Sequence, residues 1–192
     1  AVDFDDLLIL PLKIFKQNSQ VLSFYQDKFQ YVLVDEYQDT NKPQFELVSM
    51  FSEIHKNIFV VGDDDQSIYG WRGADISNIL NFKNIFDKSK IIKLEQNYRS
   101  TKIILEAAWN VVSRNTERAD KKLWTKNLEG EKIELVEAVN ERDEASKIIV
   151  DIENKVKKLK LKKDKFVVLY RTNAQSRAIE DQLRKCGIPY QI

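Results

Sequence analysis

Cysteine, histidine and methionine each occur once in the 192 residues, at Cys186, His55 and Met50. A single cysteine excludes an internal disulfide, and with no signal peptide ahead of the fold it points to the cytoplasm. Cys186 falls where a last helical turn is expected and reads as packing rather than as a nucleophile. His55 has no histidine or cysteine partner, which leaves little for a metal cage or a histidine-centred acid–base site. No apolar window approaches the roughly 20 residues that span a bilayer, so no membrane anchor is expected. The five glycines are Gly62, Gly70, Gly73, Gly130 and Gly187, and none precedes a lysine. The phosphate-cradling loop GxxxxGK[ST] is therefore absent from these residues. With Ala1 first and the lone methionine at position 50, the sequence reads as an excised fragment. There is no internal repeat and no low-complexity tract.

Hydrophobic residues make up 43%, enough for a packed core and against wholesale disorder. The net charge of +1 conceals an asymmetry. Residues 1–95 carry 10 Lys/Arg against 15 Asp/Glu, while residues 96–192 carry 21 against 15. An acidic half followed by a basic half suggests a metal-binding part beside a part that faces a polyanion.

Strand-like and helix-like stretches alternate. Residues 31–34 and 58–61 are short apolar runs, as expected of parallel strands buried on both faces. Between them, Phe45, Val48 and Phe51, with Leu47 and Ile54, recur at helical spacing and complete a βαβ unit. Upstream, Asp3 can cap a helix through Phe4, Leu7 and Leu8 that Pro11 ends or kinks. A second block starts near residue 96. Ile103, Ile104, Ala107, Ala108, Val111 and Val112 share a helix face, with Ser100 or Thr101 as cap. Residues 132–136 and 166–170 read as strands. Ala145, Ile148, Ile149, Ile152 and Val156 mark one helix, and residues 174–186 another, closed by Gly187 and Pro189. The lysines at 157, 158, 160, 162 and 163 read as a solvated connection.

Chemistry concentrates at the ends of the two leading strands. In open α/β sheets, ligands bind beyond the carboxyl ends of strands. Asp35 and Glu36 follow the first strand, where one carboxylate can hold Mg²⁺ and the other can deprotonate a water. Gly62, Asp63, Asp64, Asp65 and Gln66 follow the second, and the Gln66 amide can both donate and accept. So many carboxylates are costly to assemble unless cations or basic groups offset them, and alone they would repel a nucleotide. Gly62 is expected to give the backbone a tight path. Next come Tyr69, Trp71 and Arg72, aromatics and a cation set among glycines, a pattern suited to stacking bases and holding a phosphate. Trp109 and Trp124 read as core or interface.

The segments YVLVDEYQDTNKPQ, VVGDDDQSIYGWRGADIS, LEQNYRST, KKLWT and LYRTNAQSRAIEDQL follow one another across nearly the whole chain. Together they resemble the signatures of superfamily 1 DNA helicases of the UvrD/PcrA/Rep group. The resemblance implies an α/β fold with parts of two RecA-like domains, parallel sheets flanked by helices, divided as residues 1–94 and 95–192. It implies ATP and Mg²⁺ in the cleft between the domains and single-stranded DNA across the top. Residue by residue, it gives Asp35 and Glu36 to the metal, with Glu36 as catalytic base. Gln66 and Arg99 would contact the terminal phosphate and Tyr98 would pack on the nucleotide. Tyr69, Trp71, Arg72 and Arg177 would handle single-stranded DNA. An always-charged, forked guanidinium such as Arg99 suits a transferring phosphoryl group on independent grounds.

The expected activity is ATP-driven translocation on single-stranded DNA with unwinding at duplex junctions, 3′→5′, in DNA repair, replication or recombination. This fragment alone is expected to be inactive, because the phosphate-gripping loop is absent. Two alternatives stand beside that reading. One is the helicase subunit of a helicase–nuclease complex; the other is a degenerate helicase-like module that binds single-stranded DNA or a partner without turnover. Asp35, Glu36, Gln66 and Arg99 together weigh against degeneracy.

Overall fold

The structure is a computed structural model describing all of residues 1–192. It divides into two compact units, Ala1–Lys132 and Ile133–Ile192. This division falls later than the 94/95 boundary expected from the sequence. Residues 93–132 are tied among themselves, and to the preceding part through Arg118 on Asp65 and the Ala119 N–H on Asp64. The Trp124 N–H donates to Glu95 O at 2.9 Å, and the Asn97 N–H donates to Trp124 O at 2.7 Å.

In the first unit, α1 (Asp6–Gln17), α2 (Ser19–Lys28) and α3 (Lys42–Ser52) pack together. Their contact is aromatic. The Phe15 ring lies 5.6 Å from Tyr25 and 5.5 Å from Phe51, both edge to face, and Phe29 is 5.9 Å from Phe51. Asp3 accepts the Asp6 N–H at 2.9 Å, but α1 begins at Asp6 with Asp5 at its N-cap, so Phe4, expected inside the helix, precedes it. Pro11, expected to end or kink α1, instead lies inside a helix that runs on to Gln17. Burial of Leu12 and Phe15 in the turns after the proline offsets the lost backbone bond. Asn41 and Gln44 form a reciprocal capping box at the start of α3, with Pro43 in the first turn.

The strands β1 (Val32–Val34) and β2 (Ile58–Val60) pair in parallel, with Val34 opposite Val60. The expected parallel pair is present, but burial on both faces is not. Val32, Val34 and Ile58 are half-buried while Leu33 and Phe59 are exposed, 72% and 60%. Helix α3 contacts β1 on one side, and nothing in the chain covers the other. Beyond β2 lie two short helices, α4 (Ser77–Leu80) and α5 (Phe82–Ile85), then α6 (Lys102–Val112). Thr101 is the N-cap of α6 but makes no side-chain cap; Leu128 O and Glu129 O accept the first free N–H groups instead. Gly130, at φ +84°, permits that approach, since a Cβ there would meet the Thr101 side chain at 2.6 Å.

The second unit is a helical hairpin of α7 (Glu141–Leu159) and α8 (Asn173–Lys185). Its core is Ala145, Ile149, Ile152, Ile179, Leu183 and Ile188. Gly187, at φ +63°, closes α8 as expected. The strands expected over 132–136 and 166–170 are not formed. Phe166 and Val168 pack on the core while Val167 and Leu169 are exposed, which is strand-like alternation without a partner to complete a ladder. A mixed helix–strand chain with one parallel pair agrees with the α/β expectation. No helix is long and apolar enough to cross a membrane.

Candidate functional site

Parallel pairing brings the residues after β1 and those after β2 to one edge. Two backbone bonds extend the ladder past the strands: the Val61 N–H donates to Val34 O at 2.8 Å and the Tyr37 N–H to Val61 O at 3.0 Å. The chain then turns sharply at Glu36, held at φ 49°, a left-handed conformation that non-glycine residues seldom adopt. Tyr37 anchors this turn. It is fully buried, meets Phe82 edge to face at 5.6 Å, and its hydroxyl is pushed up to about 12 by burial.

Gln38 joins the two strand ends, a role the sequence reading missed. Its side chain is 1% exposed. Nε2 donates to Glu36 Oε2 at 2.7 Å, and Oε1 accepts the Asp63 N–H at 3.0 Å. Gly62 is required here for space rather than for backbone freedom. A Cβ on Gly62 would sit 2.6 Å from Gln38 Oε1 and 2.8 Å from Ile79 Cδ1.

Asp35 and Glu36 are exposed and border a cleft of about 390 Å³ shared with Asp39, Thr40 and Gln44. Asp35 Oδ1 accepts the Glu36 N–H at 2.9 Å. No three acidic, histidine or cysteine side chains converge as a metal cage. One or two exposed carboxylates nevertheless fit Mg²⁺, which keeps several waters and takes its other oxygens from phosphates.

The three aspartates after β2 are neutralised within the chain. Lys121 Nζ lies 2.5 Å from Asp63 Oδ1, 3.5 Å from Asp65 Oδ2 and in contact with Asp64. Arg118 grips both Asp65 oxygens, at 3.0 and 2.9 Å, and the Ala119 N–H donates to Asp64 Oδ2 at 2.7 Å. Burial pushes the Asp63 carboxyl up, yet hydrogen bonds from Lys121 and Gln66 leave it below its ordinary value. The Arg118 hydrogen bond holds Asp65 down. Burial works against the charge on Lys121, but its bonds to Asp63 and Asp64 raise its pKa overall. The basic offset expected for these carboxylates thus exists, and the expectation that all five would repel nucleotide is corrected to Asp35 and Glu36. Alternating charges at residues 117–122 were the available signal for Arg118 and Lys121.

Gln66 is exposed and donates Nε2–H to Asp63 Oδ2 at 2.7 Å. Arg72 sits over both the Tyr69 and Trp71 rings, at 5.4 and 4.6 Å, and Trp71 is 73% exposed. Asn97 Oδ1 accepts the Arg99 and Ser100 N–H groups, setting the turn that displays Arg99. Tyr98 is 79% exposed. No hydrogen bond or ion pair links Tyr98 or Arg99 to Asp35, Glu36 or Gln66. Arg177 is exposed on α8 in the second unit. His55 meets Gln26 O at 3.0 Å, a structural contact. Cys186, the C-cap of α8, is exposed rather than packed as expected.

Comparison with known proteins decides the family. Residues 1–87 match the UvrD/REP helicase N-terminal domain, and residues 92–192 match the UvrD-like helicase C-terminal domain. The chain belongs to the UvrD/REP helicase family. It is 53% identical over 190 residues to the ATP-dependent DNA helicase PcrA of Staphylococcus aureus and 52% identical to that of Staphylococcus epidermidis. Those alignments cover 99% of the chain but 26% of each relative, so the chain spans about a quarter of their length. In family terms, Asp63–Asp65 belong to the N-terminal match and Arg118 and Lys121 to the C-terminal match. The charged cluster therefore crosses the junction between the two.

Proposed function

We propose that this chain is part of an ATP-dependent DNA helicase that translocates on single-stranded DNA and unwinds duplex at junctions, 3′→5′, in repair, replication or recombination in the cytoplasm. The supporting observation is the shared edge of β1 and β2. There Gln38 couples Glu36 to the Asp63 turn in a chain of this family. The family context favours two RecA-like domains, with the change of domain near residues 94–95.

Each residue then has a chemical task. Asp35 and Glu36 lie where Mg²⁺ would be held; the ion would offset phosphate charge. Glu36 accepts a proton from the attacking water, with Gln38 fixing one of its oxygens. Gln66 keeps its amide N–H on Asp63, leaving its carbonyl oxygen to meet that water or report on the terminal phosphate. Arg99 supplies fixed positive charge to the phosphoryl group, and Tyr98 packs against the nucleotide. Tyr69 and Trp71 stack bases without regard to sequence, while Arg72 and Arg177 contact the DNA backbone.

The test is Glu36→Gln in the full-length protein, with DNA-stimulated phosphate release and strand displacement measured. Loss of both by about 100-fold or more, with DNA binding retained, is expected for a catalytic base. Undiminished turnover would remove Glu36 from that role.

A further inference from the structure

We propose that Lys121 is a positioning residue for Gln66, acting through the Asp63 carboxylate, with Arg118 holding the same loop in place. The inference rests on the reading of Gln66 as the amide that meets the terminal phosphate and water.

One carboxylate bridges the two side chains. Asp63 Oδ1 faces Lys121 Nζ at 2.5 Å, and Asp63 Oδ2 accepts Gln66 Nε2–H at 2.7 Å. Gln66 is otherwise exposed, and Asp63 is the only side chain it bonds. The Asp65 N–H, on Asp63 Oδ1 at 3.1 Å, and Lys121 together set the Asp63 rotamer, which in turn sets which end of the Gln66 amide faces outward. Four contacts hold the segment that carries Lys121. Arg118 donates to Lys121 O at 3.2 Å, grips Asp65 with its fork and lies 4.8 Å over the Trp109 ring. The neighbouring Ala119 N–H is fixed on Asp64.

These are not loose surface pairs. Lys121 and Asp63 side chains are 16% and 29% exposed, and Arg118 and Asp65 are 12% and 10% exposed. Exposed ion pairs would contribute little and hold no geometry, whereas partly buried, forked ones fix orientation. Asp63 and Gln66 lie in the N-terminal family segment, and Lys121 in the C-terminal one. A shift of the loop carrying Lys121 would therefore reorient Gln66, which gives the second segment a mechanical hold on a phosphate-facing group in the first.

The experiment uses the full-length protein and compares wild type with Lys121→Met, Lys121→Arg, Gln66→Ala and the Lys121→Met/Gln66→Ala double variant. Steady-state DNA-stimulated ATP hydrolysis and thermal unfolding are both recorded. Lys121→Met should lower kcat about tenfold while KM for ATP moves less than about twofold, and Lys121→Arg should recover most of the loss. The double variant should be no slower than Gln66→Ala, because both changes interrupt one chain of contacts. If Lys121→Met does not fold, Lys121→Gln keeps a donor for Asp63 without the charge and should show a smaller kcat loss. Full kcat in the folded lysine variants with an impaired Gln66→Ala would overturn the relay and leave the role of Gln66 standing. Multiplying losses in the double variant would also overturn it. Full turnover in Gln66→Ala would defeat the underlying reading and the relay together.

Discussion

Gln38 donates its side-chain N–H to a Glu36 carboxylate oxygen at 2.7 Å, from a position that is 1% exposed. The same amide accepts the Asp63 N–H, so one buried neutral group orients the proposed base and fixes the turn after β2. Gln38→Leu has similar volume but leaves the part-buried Asp63 N–H without its acceptor and the exposed Glu36 carboxylate to water. It should cost about 1–3 kcal/mol of stability, the penalty for stranding a buried polar group. It should also lower ATP turnover of the full-length protein by more than the stability loss explains, since the Gln38 amide is the one side chain that bonds the Glu36 carboxylate, Asp35 bonding only its backbone N–H. Thermal unfolding and kcat measured on one preparation separate the two effects. A variant that loses stability but keeps kcat would show that Glu36 needs no orientation from Gln38.

The Asp65–Arg118 pair predicts a specific pH dependence. The Arg118 hydrogen bond holds the Asp65 carboxyl below its ordinary value of 3.8. A depressed carboxylate adds stability that is complete above its unfolded pKa and is lost as pH falls through the folded one. Lys121 is raised from its ordinary 10.5, so its contribution is complete below that value and lost only as pH rises through the folded one. Asp65→Asn should therefore be less stable than wild type near neutral pH, on the order of 1–3 kcal/mol for a hydrogen bond to a charged group. The gap should close as the pH falls below 3.8. Melting temperatures of both proteins across that range check this. A gap that stays constant with pH would mean that ionisation of Asp65 contributes nothing.

The two leading strands, the apolar faces of α3, α7 and α8, and the carboxylates at the strand ends were legible because periodicity and strand-end chemistry are local. Pro11 was misread because tertiary burial of Leu12 and Phe15 overrides a local helix-breaking rule. The apolar runs at 132–136 and 166–170 carry a strand pattern, but a strand is a pairing, and no segment of this chain pairs with them. Gln38, Arg118 and Lys121 escaped for a related reason. Their importance lies in partners 25 to 58 residues away in sequence. The motif match named the candidate site residues, while Gln38, Arg118 and Lys121, which hold the strand-end turns, became visible only in three dimensions.

Trp71 is 73% exposed, and its ring carries Arg72 at 4.6 Å. Removing an exposed ring leaves no cavity, so Trp71→Ala should leave the melting temperature nearly unchanged. Stacking of a base on an aromatic ring contributes about 1–3 kcal/mol, so affinity for oligo-dT should fall roughly tenfold. Arg72→Ala should in addition reduce the salt dependence, because one phosphate contact is lost. Fluorescence anisotropy of the full-length protein at two salt concentrations reads both. Unchanged binding in Trp71→Ala would move the DNA track elsewhere.

The isolated 192-residue chain should show no significant ATP hydrolysis. Phosphoryl transfer depends almost wholly on positioning and on charge stabilisation. None of the five glycines here is followed by lysine, so the chain has no GxxxxGK[ST] loop to cradle the β- and γ-phosphates. The other cations near the strand ends are already committed. Lys121 and Arg118 are bound to Asp63, Asp64 and Asp65 and are not available to a nucleotide. That leaves Asp35 and Glu36 as uncompensated charge on the cleft after β1, which disfavours a polyphosphate. Base stacking on Tyr69 and Trp71 needs no nucleotide, so weak, salt-sensitive binding to single-stranded DNA should persist. Phosphate release from the 192-residue chain, with and without oligo-dT, tests the first half, and anisotropy tests the second. DNA-stimulated turnover that disappears in Glu36→Gln would show that these residues form a complete motor, and would mean that some group other than a glycine–lysine loop grips the phosphates.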